Sequence, residues 1–229
     1  MTIARVSSSM ELENSGEGMT MTREEVRRRL LARSDAIAAG RLVPPPFVGS
    51  DFALNGADRP PESLRPAAVL VPLVVRDPGL TVLLTQRTAD MPSHAGQIAF
   101  PGGRRDERDA DLVATALRET EEEIGVGRDH VEIVAPIDNY VTGTGFLITP
   151  VVGFVAPRFE LKPDPREVAD VFEVPLAFFL DPANHHVHSR TWQGRERRYY
   201  AMPYGERYVW GATAGMLKNL WRILSDTPE

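Results

Sequence analysis

The fold is decided by one stretch near the middle of the chain: Arg118-Glu119-Thr120-Glu121-Glu122-Glu123-Ile124-Gly125. This stretch is the C-terminal part of a helix that the spacing of apolar residues predicts over residues 109–124 and that ends at a glycine. Four side chains share one side of this helix: Val113, Leu117, Thr120 and Ile124. Three carboxylates, those of Glu119, Glu122 and Glu123, share an arc of roughly 100° on the opposite side. The sequence therefore predicts an amphipathic helix with converging acids.

Those three carboxylates destabilise the helix that carries them. Like charges three or four positions apart repel, and negative charges in the last turns oppose the helix dipole. Two interpretations follow, a solvated acidic face and a site for a hard cation such as Mg²⁺ or Mn²⁺, which binds oxygen ligands and leaves positions for phosphates. Arg118 could fix one carboxylate, and Gly102-Gly103 lets a backbone carbonyl approach a metal, which favours the cation site.

The composition narrows the class of protein. The 229 residues carry a formal net charge of −6 and no cysteine. The acidic balance disfavours binding to a nucleic-acid backbone, because that binding depends on Lys and Arg. Without cysteine, thiolate metal sites and cysteine nucleophiles are excluded. The longest apolar run, residues 66–75, is too short to span a bilayer, and the N-terminus has no apolar signal core, so we expect a cytoplasmic protein without membrane contact.

The chain is expected to consist of two parts. Residues 1–21 are rich in Ser, Glu, Gly and Thr and predict a flexible tail. Residues 22–39 predict a helix with a capping box, and the prolines of residues 42–66 predict an extended linker. The apolar side of this helix is expected to hold Val26, Leu30 and Leu31. We therefore assign the tail, helix and linker to residues 1–64 and the main domain to residues 65–229.

A mixed order of strands and helices follows. Residues 67–75 and 81–86 predict a β-hairpin, because Asp-Pro-Gly turn chemistry separates two strand-like runs. A short strand at residues 98–100 leads into two glycines and a charged loop before the acidic helix. Further strands are expected at 131–137, 146–155, 187–192 and 197–202, and further helices at 175–180 and 211–224. This order predicts an α/β domain.

Residues 103–126 resemble the Nudix box, G-x5-E-x7-R-E-U-x-E-E-x-G-U, in which U is a bulky apolar residue. The core R-E-x-x-E-E-x-G is intact from Arg118 to Gly125. Asp109 stands where the first Glu is expected, eight residues separate it from Arg118, and Thr120 occupies a position of U. The resemblance covers residues 66–221 and leaves the N-terminal part of the chain outside.

The resemblance implies a fold, a reaction and a set of functional residues. The implied fold is a Nudix-like α/β/α sandwich with a mixed β-sheet, and the implied reaction is hydrolysis of a nucleoside diphosphate linked to another moiety. Mg²⁺ or Mn²⁺ is the implied cofactor, held by Glu119, Glu122, Glu123 and the carbonyl of Gly103, with Arg118 as organiser. The implied partner is a small-molecule nucleotide, and family analogy alone suggests a homodimer.

A narrower resemblance concerns the residues before the Nudix box. The motif L-L-T-x-R-[SA]-x3-R-x3-G-x3-F-P-G-G of coenzyme A pyrophosphatases is matched at Leu83-Leu84-Thr85-Gln86-Arg87, Gly96 and Phe100-Pro101-Gly102-Gly103. Thr88 and Pro92 depart from it, the second where an Arg is expected. Residues 141–146, 148–150 and 210–214 are also similar to this branch. It implies cleavage of coenzyme A or its acyl derivatives to 3′,5′-ADP and (acyl)phosphopantetheine, with Arg87 and Phe100 as substrate-binding residues.

The implied reaction needs a base that takes a proton from the attacking water. Glu119 and Glu122 on the helix are candidates, and so is Glu167 in the loop at residues 163–168. Family members differ in this choice, and we favour a glutamate of the helix. The implied catalytic set is therefore Glu119, Glu122, Arg118 and Glu167.

Other interpretations stay open. A Nudix enzyme could instead act on ADP-ribose, NADH or dinucleoside polyphosphates, which differ in the loops around the pocket. A protein of another class would be a non-catalytic nucleotide-sensing module, which the complete acid set disfavours. A metal site at His185, His186 and His188 is disfavoured because these residues are expected in a loop. A nucleic-acid surface at residues 195–198 is disfavoured because alternating charges are typical of a solvated strand face.

Overall fold

The computed structural model describes residues 20–39, 49–50, 54–55, 63–91, 94–192 and 194–225. The helices in these ranges are α1 (Arg23–Ala38), α2 (Leu112–Ile124), α3 (Leu176–Leu180) and α4 (Ala212–Ser225). The strands are β1 (Gly49–Ser50), β2 (Arg65–Val75), β3 (Leu80–Arg87), β4 (Ile98–Ala99), β5 (Gly102–Arg104), β6 (Val131–Pro136), β7 (Tyr140–Val141), β8 (Phe146–Val155), β9 (Val168–Pro175), β10 (His186–Trp192), β11 (Arg195–Tyr204) and β12 (Arg207–Trp210). None of the described helices combines the length and the apolar character that crossing a membrane requires.

Most of the described strands form one mixed sheet. Its hydrogen-bonded order is β1-β7-β8-β2-β3-β4, with β5 joined to β2, β6 to β8 and β9 to β3. β2 and β8 are parallel, whereas β3 runs antiparallel to β2, β4 and β9. A second, smaller antiparallel sheet contains β10, β11 and β12 in that order. The mixed sheet expected from the sequence is thus confirmed.

Helices cover both faces of the large sheet. α2 packs on one face, against β2 and β5, while α1, α3 and α4 pack around the main core on the other face. Successive strand residues point to opposite faces. In β3, Leu83 and Arg87 therefore face α2, whereas Leu84 and Gln86 face the main core. This arrangement confirms the predicted α/β/α sandwich. The neighbours Gln86 and Arg87 consequently point to opposite faces of the sheet.

The predicted hairpin and the acidic helix are both present. β2 and β3 pair around a tight turn, with Val75 opposite Leu80. α2 begins at Leu112 rather than at residue 109, because the side chain of Asp111 accepts a hydrogen bond from the N–H of Ala114 and forms the N-cap. Residue 109 consequently lies in the loop before the helix.

Strands β9 and β12 are not indicated by the sequence pattern. β9 reads V-A-D-V-F-E-V-P, in which Asp170 and Glu173 interrupt the apolar run. Arg207 and Arg76 form ion pairs with these two carboxylates from elsewhere in the fold. β12 has only 4 residues, which is too short for a clear period-two pattern. Both strands therefore depend on partners that are distant in sequence.

Helix α1 packs against the main domain. Thr22 and Glu25 form the predicted capping box. Val26 and Leu30 are buried in the main core, as predicted, but Leu31 is 42% exposed, so its assignment to the packed side was wrong. Leu31 follows Val26 by five positions, which rotates it by about 140° around the helix axis. Val26 and Leu30, which are four positions apart, therefore reach the core, whereas Leu31 does not.

The predicted tail and linker fall largely outside the described residues. These regions include 1–19, 40–48, 51–53 and 56–62. Within the expected linker, β1 pairs in parallel with β7, so this short segment belongs to the large sheet. β2 already begins at Arg65. The division of the chain at residue 64 stays a prediction.

Candidate active site

The acidic helix α2 ends at Gly125, where the backbone is left-handed with a φ of 75°. A side chain here would be strained, and its Cβ would lie 2.7 Å from the Cβ of Lys162. This close approach lets the backbone N–H groups of Lys162 and Asp164 donate to carbonyls of the last helical turn, each at 2.9 Å. The end of α2 is thereby attached to the loop that carries Glu167.

The three helix carboxylates differ in exposure. The side chain of Glu123 is 7% exposed, that of Glu119 is 19% exposed and that of Glu122 is 61% exposed. Val113 and Leu117, which were expected on the packed side, are only half-buried. Glu123 is the most buried of the three, because β5 lies against α2 and covers this carboxylate.

Arg118 joins carboxylates of the helix to one of the preceding loop. Its Nε and Nη2 donate to the two carboxylate oxygens of Asp109, at 2.9 and 3.0 Å. Its Nη1 lies 2.9 Å from Oε1 of Glu119 and 3.0 Å from Oε2 of Glu122. The hydrogen bonds with Asp109 raise the pKa of Arg118 and hold the pKa of the Asp109 carboxyl well below its usual range. Arg118 thus contacts three acids, and the buried Asp109 anchors it.

Gly103 brings the backbone of β5 against the carboxylate of Glu119. A Cβ on Gly103 would lie 2.5 Å from Oε2 of Glu119, a distance that a side chain cannot adopt without displacing the glutamate. The pairing of Gly103 with Ala68 in β2 fixes the position of this backbone. The structure therefore brings together Gly103 and Glu119, two of the predicted site residues, and any larger residue at 103 would separate them.

Glu123 is a buried carboxylate with few partners. Its Oε2 accepts a hydrogen bond from the N–H of Gly102 at 3.3 Å, and its Oε1 lies 3.8 Å from Nη1 of Arg87. Burial raises the pKa of Glu123 to about 8, and the negative charges of Glu119 and Glu167 add to this effect. Burial also raises the pKa of Glu119. The site therefore holds more negative charge than its own donors compensate.

Arg87 lies between the acidic helix and the loop after it. Its Nη1 is 3.8 Å from Glu123 and its Nη2 is 4.0 Å from Oε2 of Glu167, both beyond hydrogen-bond distance. Its Nε is buried and has no hydrogen-bond partner within the described residues. The N–H of Thr88 donates to the carbonyl of Glu167 at 2.9 Å, which attaches the loop to the same end of β3. Arg87 thus retains donor capacity for an anion.

Phe100, a predicted site residue, is buried away from the carboxylates, whereas Asp164, which was not predicted, holds the end of α2. Phe100 is 3% exposed and packs in the main core, so its ring offers almost no surface to a substrate. Asp164 was not indicated by the sequence pattern, yet it binds the end of α2 through its N–H and pairs with Arg166 through its side chain. The Pro-Asp-Pro sequence at 163–165 is a turn signal that could have pointed to a fixed loop.

The histidines after α3 lie largely on a strand rather than in the expected loop. His186 and His188 belong to β10 and stack with ring centroids 5.9 Å apart. His185 precedes the strand, and its Nε2 lies 2.8 Å from the carbonyl of Phe179. Residues 195–198 form the start of β11, which pairs with β10. These groups are separate from the acids of α2.

Known proteins resemble this chain in sequence and in structure. The NUDIX domain family matches residues 64–193. An uncharacterized Nudix hydrolase, NudL, of Photorhabdus laumondii is 40% identical over 165 residues, which cover 70% of this chain and 88% of that protein. The NudL of Pectobacterium atrosepticum is 37% identical over 193 residues, which cover 82% of this chain and 100% of that protein. A crystal structure of a NUDIX hydrolase from Alicyclobacillus acidocaldarius aligns with a TM-score of 0.44 and 19% identity, over 70% of this chain and 92% of that one.

The chain belongs to the Nudix hydrolase family, since the domain match covers more than half of its length. It is a pyrophosphohydrolase that acts on nucleoside diphosphate derivatives. The family resemblance drawn from Arg118 to Gly125 is thereby confirmed. The narrower assignment to the coenzyme A branch stays a prediction.

Nudix hydrolases generally use divalent metal ions, and the oxygen donors of this site fit such an ion. Glu119 and Glu123 are desolvated carboxylates, and the missing side chain of Gly103 opens a backbone surface beside them. Within the described ranges, no three His, Asp or Glu side chains are already gathered around one point. Glu119 and Glu122 are instead in contact with Arg118, and the side chain of Glu122 is exposed.

Proposed function

We propose that the chain hydrolyses the diphosphate bond of coenzyme A or of its acyl derivatives, giving 3′,5′-ADP and (acyl)phosphopantetheine. The position of Arg87 carries this proposal. Arg87 ends the L-L-T-Q-R stretch of the coenzyme A-type motif, and its guanidinium lies between Glu123 of α2 and Glu167. The residues of the narrower motif and those of the Nudix box therefore meet at one place.

The proposed ligands of Mg²⁺ or Mn²⁺ are Glu119, Glu122, Glu123 and the carbonyl of Gly103. A divalent cation at these oxygens, when bound, offsets the negative charge of the diphosphate and of the departing phosphate. Arg118 positions Glu119 and Glu122 through its contacts at 2.9 and 3.0 Å. The burial of Glu123 and the close approach of Gly103 to Glu119 support this assignment.

Arg87 supplies a cationic contact for the diphosphate. A guanidinium binds phosphate oxygens through paired hydrogen bonds, and these are stronger than bonds between neutral groups. Glu123 and Glu167 hold Arg87 in position without forming hydrogen bonds to it, at 3.8 and 4.0 Å. Its donors consequently remain available for the substrate.

A glutamate takes the proton of the attacking water, and no covalent intermediate is required. Glu119 and Glu122 are both in contact with Arg118, at 2.9 and 3.0 Å, so this cation already occupies a carboxylate oxygen of each. The side chain of Glu167 is 46% exposed and has a more distant cationic partner, Arg87. Among the three candidates, we therefore assign the role of base to Glu167 and the roles of ligands to Glu119 and Glu122.

The test is the release of 3′,5′-ADP from coenzyme A, measured beside ADP-ribose and NADH with Mg²⁺ or Mn²⁺. The wild type is compared with Glu122→Gln and with Glu121→Gln. Both residues are exposed on α2, but only Glu122 contacts Arg118. We expect coenzyme A to be preferred by the wild type and by Glu121→Gln, and its cleavage to be slower by about 100-fold or more in Glu122→Gln.

Each alternative result has a definite meaning. Preference for ADP-ribose or NADH would leave the Nudix reaction in place and overturn the assignment of coenzyme A. An equal loss in Glu121→Gln would indicate damage to the helix rather than loss of a ligand. Absence of cleavage with either metal would favour the non-catalytic nucleotide-sensing module.

A further inference from the structure

A cavity of about 500 Å³ lies between the end of β3 and the small sheet. It is lined by residues of β3, of the segment leading into β4, and of β12 with the turn before it, namely Gln86, Gly96, Ile98, Glu206, Arg207, Tyr208 and Trp210. Its volume falls within the range of about 300–1,000 Å³ that is typical of small-molecule sites. The reaction at α2 uses none of these residues, so the cavity has no role in the function described so far.

Two aromatic residues, Tyr208 and Trp210, line part of the cavity. Tyr208 and Trp210 are two residues apart in β12, so their side chains project from the same side of the strand. Their ring centroids are 6.5 Å apart and the ring planes are inclined by 34°. Tyr208 is 38% exposed, unlike the large apolar side chains of the core. A flat ligand therefore has an accessible aromatic surface.

Neighbouring side chains hold both rings in place. The hydroxyl of Tyr208 lies 2.6 Å from Nδ1 of His188, and these two rings stack with planes inclined by 21°. The ring of Tyr199 meets Trp210 edge to face at 5.1 Å, and the guanidinium of Arg190 lies 4.7 Å from the Trp210 ring. Binding of a flat ligand would cost little side-chain entropy, because these rings are already ordered.

Polar groups beside these aromatic residues are also fixed. Arg207 donates to the side-chain oxygen of Gln86 at 2.9 Å and to the carboxylate of Asp170 at 2.5 Å. Its guanidinium lies 4.3 Å from the ring of Phe172. Ligand pockets commonly combine apolar surface with a few oriented polar groups that determine specificity. This cavity combines the two aromatic residues with a lining that is otherwise mostly polar and includes Glu206.

The cavity lies at the same strand end as Arg87. Gln86 precedes Arg87 in β3, with its side chain on the opposite face of the sheet. The loop between β3 and β4 is bound to this strand end, because Arg87 donates its N–H to the carbonyl of Gln97 and Gly96 donates its N–H to the carbonyl of Thr88. β4 is a strand of only 2 residues at the end of the sheet order. β4, at the end of the sheet order, therefore lies between Arg87 on the α2 face and the cavity on the other face.

We propose that this cavity binds the nucleobase of the substrate by stacking on Tyr208 and Trp210. The inference rests on the proposed function, in which the diphosphate of the same molecule lies at Arg87. Stacking on an aromatic side chain is worth about 5- to 100-fold in the affinity for a base, and it accepts a flat ring rather than a flexible aliphatic arm. The base, and not the pantetheine part, is therefore the occupant.

The test compares the binding of AMP and of ribose 5-phosphate to the full chain by calorimetry. These two probes share the ribose and the phosphate and differ in the base. The wild type is measured beside Tyr208→Ala, which removes the ring, and Tyr208→Phe, which keeps it. We expect the wild type to prefer AMP, Tyr208→Ala to bind AMP about 10-fold more weakly, and Tyr208→Phe to bind it like the wild type. The affinity for ribose 5-phosphate should stay the same in all three.

Equal affinity of the wild type for AMP and ribose 5-phosphate, or unchanged AMP binding by Tyr208→Ala, would overturn the proposal. A higher KM for coenzyme A in Tyr208→Ala without weaker AMP binding would assign the cavity to the pantetheine part and would also overturn it. If Tyr208→Ala does not fold, AMP-induced quenching of tryptophan fluorescence decides, and this quenching should be lost in Trp210→Phe. Because binding is measured without turnover, a chain that cleaves no nucleotide would overturn the proposed function separately.

Discussion

Glu123 and Asp138 are buried carboxylates on opposite faces of the large sheet, with side chains 7% and 3% exposed. Arg33 donates to both oxygens of Asp138, at 2.5 and 2.7 Å, and Arg222 donates to one of them at 2.9 Å. Glu123 accepts one hydrogen bond at 3.3 Å from the described residues and faces Arg87 at 3.8 Å. Burial is similar in the two cases, but the compensation of charge is not.

The difference shows that burial by itself does not identify a functional acid. Asp138 connects α1, through Arg33, and α4, through Arg222, so its charge contributes to the packing of two helices. Glu123 makes no comparable connection, and its charge is compensated only weakly by the protein. A bound cation would compensate the charge of Glu123. Asp138 needs no cation, because Arg33 and Arg222 already compensate its charge. The same change, from carboxylate to amide, separates the two roles.

The largest effect is expected for Glu123→Gln. Loss of this proposed metal ligand should reduce turnover by about 1,000-fold, since a preorganised charge that acts on the transition state is worth several kcal/mol. The free energy of unfolding in chelator should not fall at neutral pH, because the raised pKa of Glu123 keeps this carboxyl protonated there and a neutral amide of similar shape replaces it. Steady-state kinetics and urea unfolding measure the two quantities. A large loss of stability with little loss of turnover would reverse the comparison.

Asp138→Asn should have the opposite profile. We expect a loss of about 3 kcal/mol in the free energy of unfolding, because Arg33 would keep a buried charge with a weakened partner. The kcat of the folded fraction should change little, since Asp138 lies on the face of the sheet away from α2. Urea unfolding and kinetics at saturating substrate provide the measurement. A kcat as low as that of Glu123→Gln, without loss of stability, would contradict the structural role.

Asp109→Asn should lower turnover less than Glu123→Gln does and more than Asp138→Asn does. Arg118 would lose its bidentate anchor but keep Glu119 and Glu122, so we expect turnover to fall by about 10- to 100-fold, as for groups that orient metal ligands. Asp111→Asn is the matched control, because asparagine can also serve as the N-cap of α2. Kinetics of both variants with Mg²⁺ check the expectation. Equal losses in the two would indicate a general defect of the loop.

The smallest effect concerns the pH dependence of stability in chelator. The pKa of Glu123 is raised from 4.5 to about 8, so the folded chain holds this proton between these values while the unfolded chain releases it. Stability should therefore fall as pH rises from 5 to 8, by about 1 kcal/mol or more from this residue. Thermal unfolding across this range should show a decrease of about 3 °C that Glu123→Gln removes. An equal decrease in the variant would assign the effect to other groups.

The sequence pattern predicted much of the fold correctly. Two strand-like runs separated by a turn sequence identified the hairpin of β2 and β3, and the 3.6-residue period followed by a glycine identified α2 and its end at Gly125. These features depend on neighbouring residues. β9 was not predicted, because Asp170 and Glu173 interrupt its apolar run. These two carboxylates form ion pairs with Arg207 and Arg76 from distant parts of the chain. The cavity beside Tyr208 also joins segments that no local pattern connects.

By itself, the sequence determined the family and the acidic helix, both of which follow from residue type and spacing along one segment. Only the tertiary structure decided that Glu123 is buried while Glu122 is exposed, since helical periodicity defines which residues share a side but not what covers that side. It also decided which buried acid is compensated. Arg33 and Asp138 are 105 residues apart in the chain, and the balance of charge at such a site depends on contacts over that distance.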